Sequence, residues 1–250
     1  PASTTEHDVA VSFRGLFAQR RCLIVLDDVW NAGQLSPFGG ELQQCCVVVI
    51  SRSEILASAL LPPRHVLIRI GLFSRKDSET AFRKYYEEQI SGSAAAKHIL
   101  EKCGDIPLAI QIMAHVARAN GLEHASCLLQ NANINQAVAL LKSYDGPDGV
   151  CNNEGLANLF LVFGVSVDDL DKTSGTQSRF LLLAAIPEKV RIPEEALKTI
   201  WRCSVDSVVS TATDLQKHSL ATYEHKQLAL HDMMHTYLVC RANNHDLAKG

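Results

Sequence analysis

The chain reads as α/β followed by all-α, and three observations carry that prediction. Two continuous apolar runs, Leu23-Ile24-Val25-Leu26 and Cys45-Cys46-Val47-Val48-Val49-Ile50, lack the alternation of a half-solvated strand. Each ends in polar residues, as strands of a parallel sheet buried on both faces do. From Ser74 onward, apolar positions recur at helical spacing between Ser, Gly and Pro punctuation. Residues 219–230 then shorten into two brief strand-like runs around Glu224-His225-Lys226. These shifts divide the chain into 1–70, 71–149 and 150–250, with Tyr144-Asp145-Gly146-Pro147-Asp148-Gly149 as the best linker.

Taken in order, residues 9–20 place Val9, Phe13, Leu16 and Phe17 on one helical face ahead of the basic pair Arg20-Arg21. The segment between the two apolar runs holds Gly and Pro and predicts a short helix. Leu67-Ile68-Arg69-Ile70 predicts a short strand. A helix capped by Ser74 or Asp77 then runs to Ser91-Gly92, and a second runs from Ala94 to Cys103, where Gly104 supplies a left-handed stop. Pro107 opens a third, in the first turn where its missing N–H is harmless, and Gly121 closes it. Amphipathic pieces over 123–130 and 134–143 complete a helical bundle. Further helices are expected near 153–163, 177–186, 193–202 and 206–218, and a last one from His231. Helices followed by a β-ribbon describe a winged helix.

Composition excludes several function classes. Lys+Arg 24 against Asp+Glu 27 gives a formal charge of −3, and 1–70, 71–150 and 151–250 are each close to balanced. No basic field draws nucleic acid or an anionic membrane. The longest apolar stretch, Leu156 to Val167, is far short of the ~20 residues of a membrane span. Eight cysteines without a CxxC pair, mostly inside apolar runs, read as buried free thiols of a reducing compartment, so a cytoplasmic location is expected. The chain starts at Pro1 and its first methionine is Met113, the pattern of a segment of something longer.

The chemistry starts at Leu23-Ile24-Val25-Leu26-Asp27-Asp28. In P-loop nucleotidases a strand-tip acid anchors Mg²⁺ and a neighbouring acid polarises the attacking water; an Asp pair at a strand end also serves as plain turn chemistry. What weights the first reading is order. LIVLDDVW, followed by VVVISRS, resembles the second kinase motif and sensor strand of NB-ARC nucleotide switches, the central modules of plant resistance proteins and apoptosome scaffolds. CGDIPLAI at 103–110 is similar to that family's GLPLA motif. SVDDL at 166–170 and FLLLAAIPEKVRIPEEALKTIW at 180–201 resemble its third and fourth segments. DLQKHSLATYEHKQLALHDMMHTYL at 214–238 resembles its winged-helix end, with LHD where the family writes MHD.

The resemblance implies a partial P-loop NTPase sheet, a helical bundle and a winged helix that clamp ADP at rest and rearrange with ATP. It implies Asp27 as the Mg²⁺-associated acid, Asp28 as general base, Arg52 as the sensor of the terminal phosphate, Pro107 against the adenine, and His231 on the β-phosphate, with Asp232 as a structural neighbour at the helix start. It further implies flanking sensor and effector domains, protein partners, homo-oligomerisation on activation, and at most slow ATPase activity. Departures stand beside these matches. No GxxxxGK[ST] occurs in the sequence, so the phosphate loop is expected upstream of Pro1. The sensor strand reads Ile50-Ser51-Arg52 where the family commonly has two threonines, and Asp105 sits where it usually has a small residue.

Three other readings remain. A nucleotide-free interaction scaffold would keep the fold and lose the chemistry. His231 and His235 flanking Asp232 echo a zinc helix, without a convincing third ligand. DNA binding by the helix from Asp206 to His218 has Lys217 as its sole fixed positive charge against Asp206 and Asp214, too little for groove entry.

Overall fold

The computed structural model describes residues 6–17, 19–38, 44–51, 56, 66–142, 154–170 and 174–247. The expected linker 144–149 lies outside them. Contacts divide the chain into two units, Pro1–Ile70 and Gly71–Gly250.

In the first unit, helix α1 (Glu6–Phe17) precedes two strands, β1 (Leu23–Leu26) and β2 (Cys46–Val49). They pair in parallel, Leu23 opposite Cys46 through Leu26 opposite Val49. A 3₁₀ stretch, Ala32–Phe38, lies between them. It packs on α1 through Phe13, whose ring meets Phe38 edge-on at 5.1 Å and Phe17 at 4.5 Å. Two expectations are corrected here. The strands are not buried on both faces: Leu23 is 63% and Val25 53% exposed, while Cys22, Ile24 and Leu26 on the opposite face are half-buried. Continuous apolarity permits two-sided burial, but a layer on each side is needed to deliver it. The strand expected at Leu67-Ile70 does not form: the sheet of β1 and β2 has no third member among the described residues.

The second unit carries most of the helices. Helix α2 (Arg75–Tyr86) is capped by Ser74, whose Oγ accepts from Asp77 N, and stops at Glu87 in the left-handed region. Helix α3 (Ala94–Cys103) is capped by Ser93 accepting from Ala96 N and stops at Gly104 with φ +60. Helix α4 (Pro107–Asn120) opens on its proline. Next come α5 (Leu122–Asn131), α6 (Ile134–Lys142), α7 (Glu154–Asp168) and α8 (Thr176–Leu181). The single helix expected over 177–186 instead tightens to 3₁₀ at Leu182–Ala185 and ends at extended Ile186, the backbone that Pro187 demands of the residue before it.

Helices α9 (Glu194–Trp201), α10 (Val205–Lys217) and α11 (Asp232–Leu247) surround a three-stranded antiparallel sheet. Its order is β3 (Ile192–Pro193), β5 (Gln227–Ala229), β4 (Thr222–Glu224). The third strand, β3, is added to the ribbon expected from sequence; its Ile192 pairs with Leu228, both buried. Pro193 sits on the sheet edge, where a strand tolerates proline. Tyr223 of β4 donates to the Glu194 carboxylate in the first turn of α9, and desolvation followed by that bond pushes its phenol up to about 12.

One buried cluster runs through this unit, from Phe82 of α2 through Ile110 and Met113 of α4 and Phe160 and Phe163 of α7 to Leu197 and Tyr237. The seven described cysteines are free, but only Cys103 and Cys240 are buried; Cys46 and Cys127 are exposed and Cys22, Cys45 and Cys203 half-buried, because their runs lie on open faces. Burial drives the Cys103 thiol far upward, so it is inert packing.

The stop at Gly104 gives a first test. An added Cβ there would lie 2.6 Å from Asn158 Nδ2 of α7, and φ +60 disfavours any L side chain. Gly104→Ala is expected to lower stability by about 1–2 kcal/mol, the left-handed strain plus a displaced amide. Urea unfolding checks this, and an unchanged midpoint refutes it.

Candidate functional site

The acids leave β1 in a fixed way. Ile50 N donates to Leu26 O at 2.8 Å and Val29 N donates to Ile50 O at 3.0 Å, so the chain on both sides of Asp27-Asp28 is tied to the end of β2. Ser51 Oγ adds a bond to Val29 O at 2.5 Å. The two acids therefore form an excursion held at both feet at the carboxyl end of the parallel pair, where ligands of open α/β sheets bind. Asp28 has φ +58, a conformation that Asp tolerates better than most residues but that still carries strain. Asp27 is exposed and Asp28 half-buried.

Beyond them the turn is closed by side-chain amides. Gln34 Oε1 accepts from Trp30 N at 2.7 Å and Asn31 N at 3.1 Å, while Asn31 Oδ1 accepts from Gln34 N. As an exposed carboxylate at a strand tip, Asp27 can supply one hard oxygen ligand to Mg²⁺, an ion that keeps most of its waters. Arg52 lies outside the described residues, next to Ser51.

The remaining residues named from sequence belong to the second unit. Pro107 is the first residue of α4 and is exposed, with its ring available for stacking. His231 precedes α11 and is exposed; its Nδ1 accepts from Met233 N at 3.2 Å and its carbonyl accepts from Met234 N and His235 N. Capping by the imidazole fixes the tautomer, since an accepting Nδ1 leaves the proton on Nε2. His231 thus presents an N–H donor suited to a phosphate oxygen. The helix-start N–H of Met233 is bonded by His231, and Asp232 beside it supplies first-turn negative charge.

His235, one turn on, is spent elsewhere. Its Nε2 bonds Ile186 O at 2.5 Å and its Nδ1 lies 3.5 Å from Glu188. With one ring nitrogen engaged on the backbone, His235 is not arranged as a partner for His231 on zinc. Among the described residues no group of three or more potential metal ligands gathers.

Asp105 has a part that sequence reasoning missed. It occupies the turn between α3 and α4 with φ +57, and its Oδ1 accepts from the buried Ser78 Oγ at 2.7 Å and pairs with Arg75 at 3.5 Å. Its carbonyl accepts from Phe73 N. The acid ties the start of α2 to the turn that aims Pro107. Nothing local signals this, because Ser78 lies 27 residues away.

The chain places Asp27 and Asp28 together at one strand end, and Pro107 and His231 at the starts of two helices that both pack on α7. No helix among the described residues is long and apolar enough to cross a membrane.

Residues 2–90 match the family model described as NB-ARC domain. Apoptotic protease-activating factor 1 of Mus musculus is 23% identical over 205 residues, 80% of this chain and 15% of that relative. The chain thus spans about a seventh of the length of that relative. CGDIPLAI and LHD fall beyond the family match, whereas the alignment to the mouse protein is too long to end before residue 90. The strand pair and its two acids lie inside the matched stretch, so over residues 2–90 the chain is similar to the NB-ARC domain.

Proposed function

We propose that the chain is part of an ADP/ATP-dependent molecular switch of the NB-ARC type, acting in a cytoplasmic signalling pathway of the cell-death or defence kind. The family match and the mouse relative support a nucleotide-binding signalling module in general. The observation that carries the finer reading is the tethered Asp27-Asp28 excursion at the carboxyl end of two parallel strands.

In this reading, 1–70 contributes the acid-bearing strands, 71–149 a helical bundle and 150–250 a winged helix built from α9, α10 and the β3-β5-β4 sheet. Asp27 holds Mg²⁺ and thereby neutralises phosphate charge. Asp28, if it acts as a base, accepts a proton from the attacking water. Arg52 meets the terminal phosphate, Pro107 packs on the adenine, and His231 Nε2–H donates to the β-phosphate. Because the His231 donor sits at the start of α11, ADP contact favours one placement of that helix over another, and only such differential contact can shift a conformational equilibrium. Opening would expose a surface for protein partners or further copies, and turnover would reset the switch slowly.

Calorimetry with ADP and Mg²⁺ tests this. The expected dissociation constant is tighter than about 100 μM, roughly −5.5 kcal/mol. His231→Ala should weaken it about 5–20-fold, the loss of one charge-assisted hydrogen bond. Binding of that strength would overturn a second reading, a nucleotide-free interaction scaffold that keeps the fold and loses the chemistry. Unchanged ADP affinity in His231→Ala would overturn the clamp.

A further inference from the structure

At the opposite end of β1 and β2 from the acids, two thiols meet. Cys22 and Cys45 precede the paired positions Leu23 and Cys46 and continue their register, and Cys46 N donates to Cys22 O at 2.9 Å. Their sulfurs are 3.1 Å apart. Neighbouring strands run about 4.8 Å apart, inside the Cα separation that a disulfide spans. Joining these sulfurs requires closing one short gap and no rearrangement of the strands.

The hydrogen bonds give the pair a direction. Cys45 Sγ donates to Arg20 O at 3.2 Å, in the turn that leaves α1. That leaves its lone pairs to accept from Cys22 S–H. The shared thiol bond raises Cys22 above its ordinary range, followed by desolvation, with the Arg20 guanidinium acting the other way. Both residues are half-buried, reachable by a small oxidant. Cys46, the next residue, is exposed and, by strand alternation, on the other face of the sheet.

We propose that Cys22 and Cys45 form a redox-active dithiol that a hydroperoxide converts reversibly to an interstrand disulfide. One sulfur, as thiolate, attacks the peroxide; the O–O bond breaks, the leaving oxygen takes up the proton, and a sulfenic acid forms. The second sulfur attacks the first; the S–S bond forms, the S–O bond breaks, and water leaves with the second thiol's proton. Two thiols lose two electrons and the peroxide gains them. The product locks the amino ends of β1 and β2, the strands whose other ends carry Asp27, Asp28 and Ser51. This inference rests on the strand geometry and is independent of nucleotide binding.

The test is stoichiometric hydrogen peroxide on the full 250-residue chain, followed by alkylation, digestion and mass spectrometry. The Cys22–Cys45 linked peptide should exceed any link through Cys46 or Cys127 by about tenfold, because neither has a geometry-matched partner among the described residues, and dithiothreitol should remove it. Phenylarsine oxide, a dithiol probe, should bind wild type and the Cys127→Ser variant but neither Cys22→Ser nor Cys45→Ser. Dominant oxidation at Cys46 or Cys127, with Cys22 and Cys45 still open to alkylation, would overturn the proposal. If a serine variant fails to fold, the wild-type cross-link alone decides.

Discussion

Replacing Tyr237 with alanine is expected to destabilise the second unit by about 3–5 kcal/mol, the range for emptying a buried aromatic site. Tyr237 is 1% exposed and stands edge-on to Phe160 at 5.4 Å and Phe163 at 5.6 Å, so α11 is fastened to α7 through three rings. Such pairs add to the burial energy itself. Its hydroxyl accepts from Arg241 Nη1 at 2.9 Å, and Arg241 continues to Asp168 at the end of α7. A Cβ on Gly164 would approach that hydroxyl to 3.3 Å, which accounts for a glycine in mid-helix.

Tyr237→Phe keeps the rings and removes only the acceptor, for about 1 kcal/mol. Denaturant midpoints separate the two. If Tyr237→Ala proved as mild as Tyr237→Phe, α11 would not share a core with the bundle. If His231 is to report nucleotide state through the placement of α11, that fastening sets how firmly the helix is held at rest.

What the sequence made legible was whatever a few neighbouring residues decide. Ser74 as a cap, Gly104 as a stop and Pro107 as an opener are local chemistry, and each appears in place. Elements defined by a distant partner were missed or over-read. Two-residue β3 exists only because Ile192 pairs with Leu228, and Leu67-Ile70 has strand composition but no ladder.

The same division holds at the site. Asp27, Asp28 and His231 are proposed as site residues because an ordered set of motifs marks them. The tether through Ile50 that positions the acids is a pairing between strands, and the imidazole cap that sets the His231 tautomer depends on rotamer; neither is written in spacing. The cysteines show the cost of composition as a guide. Apolar surroundings in sequence implied burial, yet Cys22 and Cys45 are half-buried and face each other across a strand pair whose other face is open.

Asp105 gives the second large effect, and its value lies in two substitutions that differ. Asp105→Ala strands the hydroxyl of Ser78, which is fully buried and donates to Oδ1 at 2.7 Å. An orphaned buried donor costs about 1–3 kcal/mol. Alanine at φ +57 adds about 1 kcal/mol of left-handed strain that Asp and Asn escape more easily. The sum is about 2–4 kcal/mol. The Arg75 pair contributes little to that sum, because at 3.5 Å and about a third exposed on both sides it is solvent-screened.

Asp105→Asn retains an acceptor oxygen and tolerance of the left-handed backbone, and is expected to cost under about 1 kcal/mol. Ser78→Ala in the Asp105→Ala background should restore about 1–2 kcal/mol, since removing both partners leaves nothing unpaired. Urea midpoints at constant slope measure all four chains. Equal losses for Asn and Ala would mean that charge, not the Ser78 bond, is what the turn needs. Because Pro107 follows two residues later, a loosened turn should also move the residue proposed to lie on the adenine. Asp105→Ala should therefore weaken ADP binding at temperatures where the chain is still folded, whereas Asp105→Asn should not.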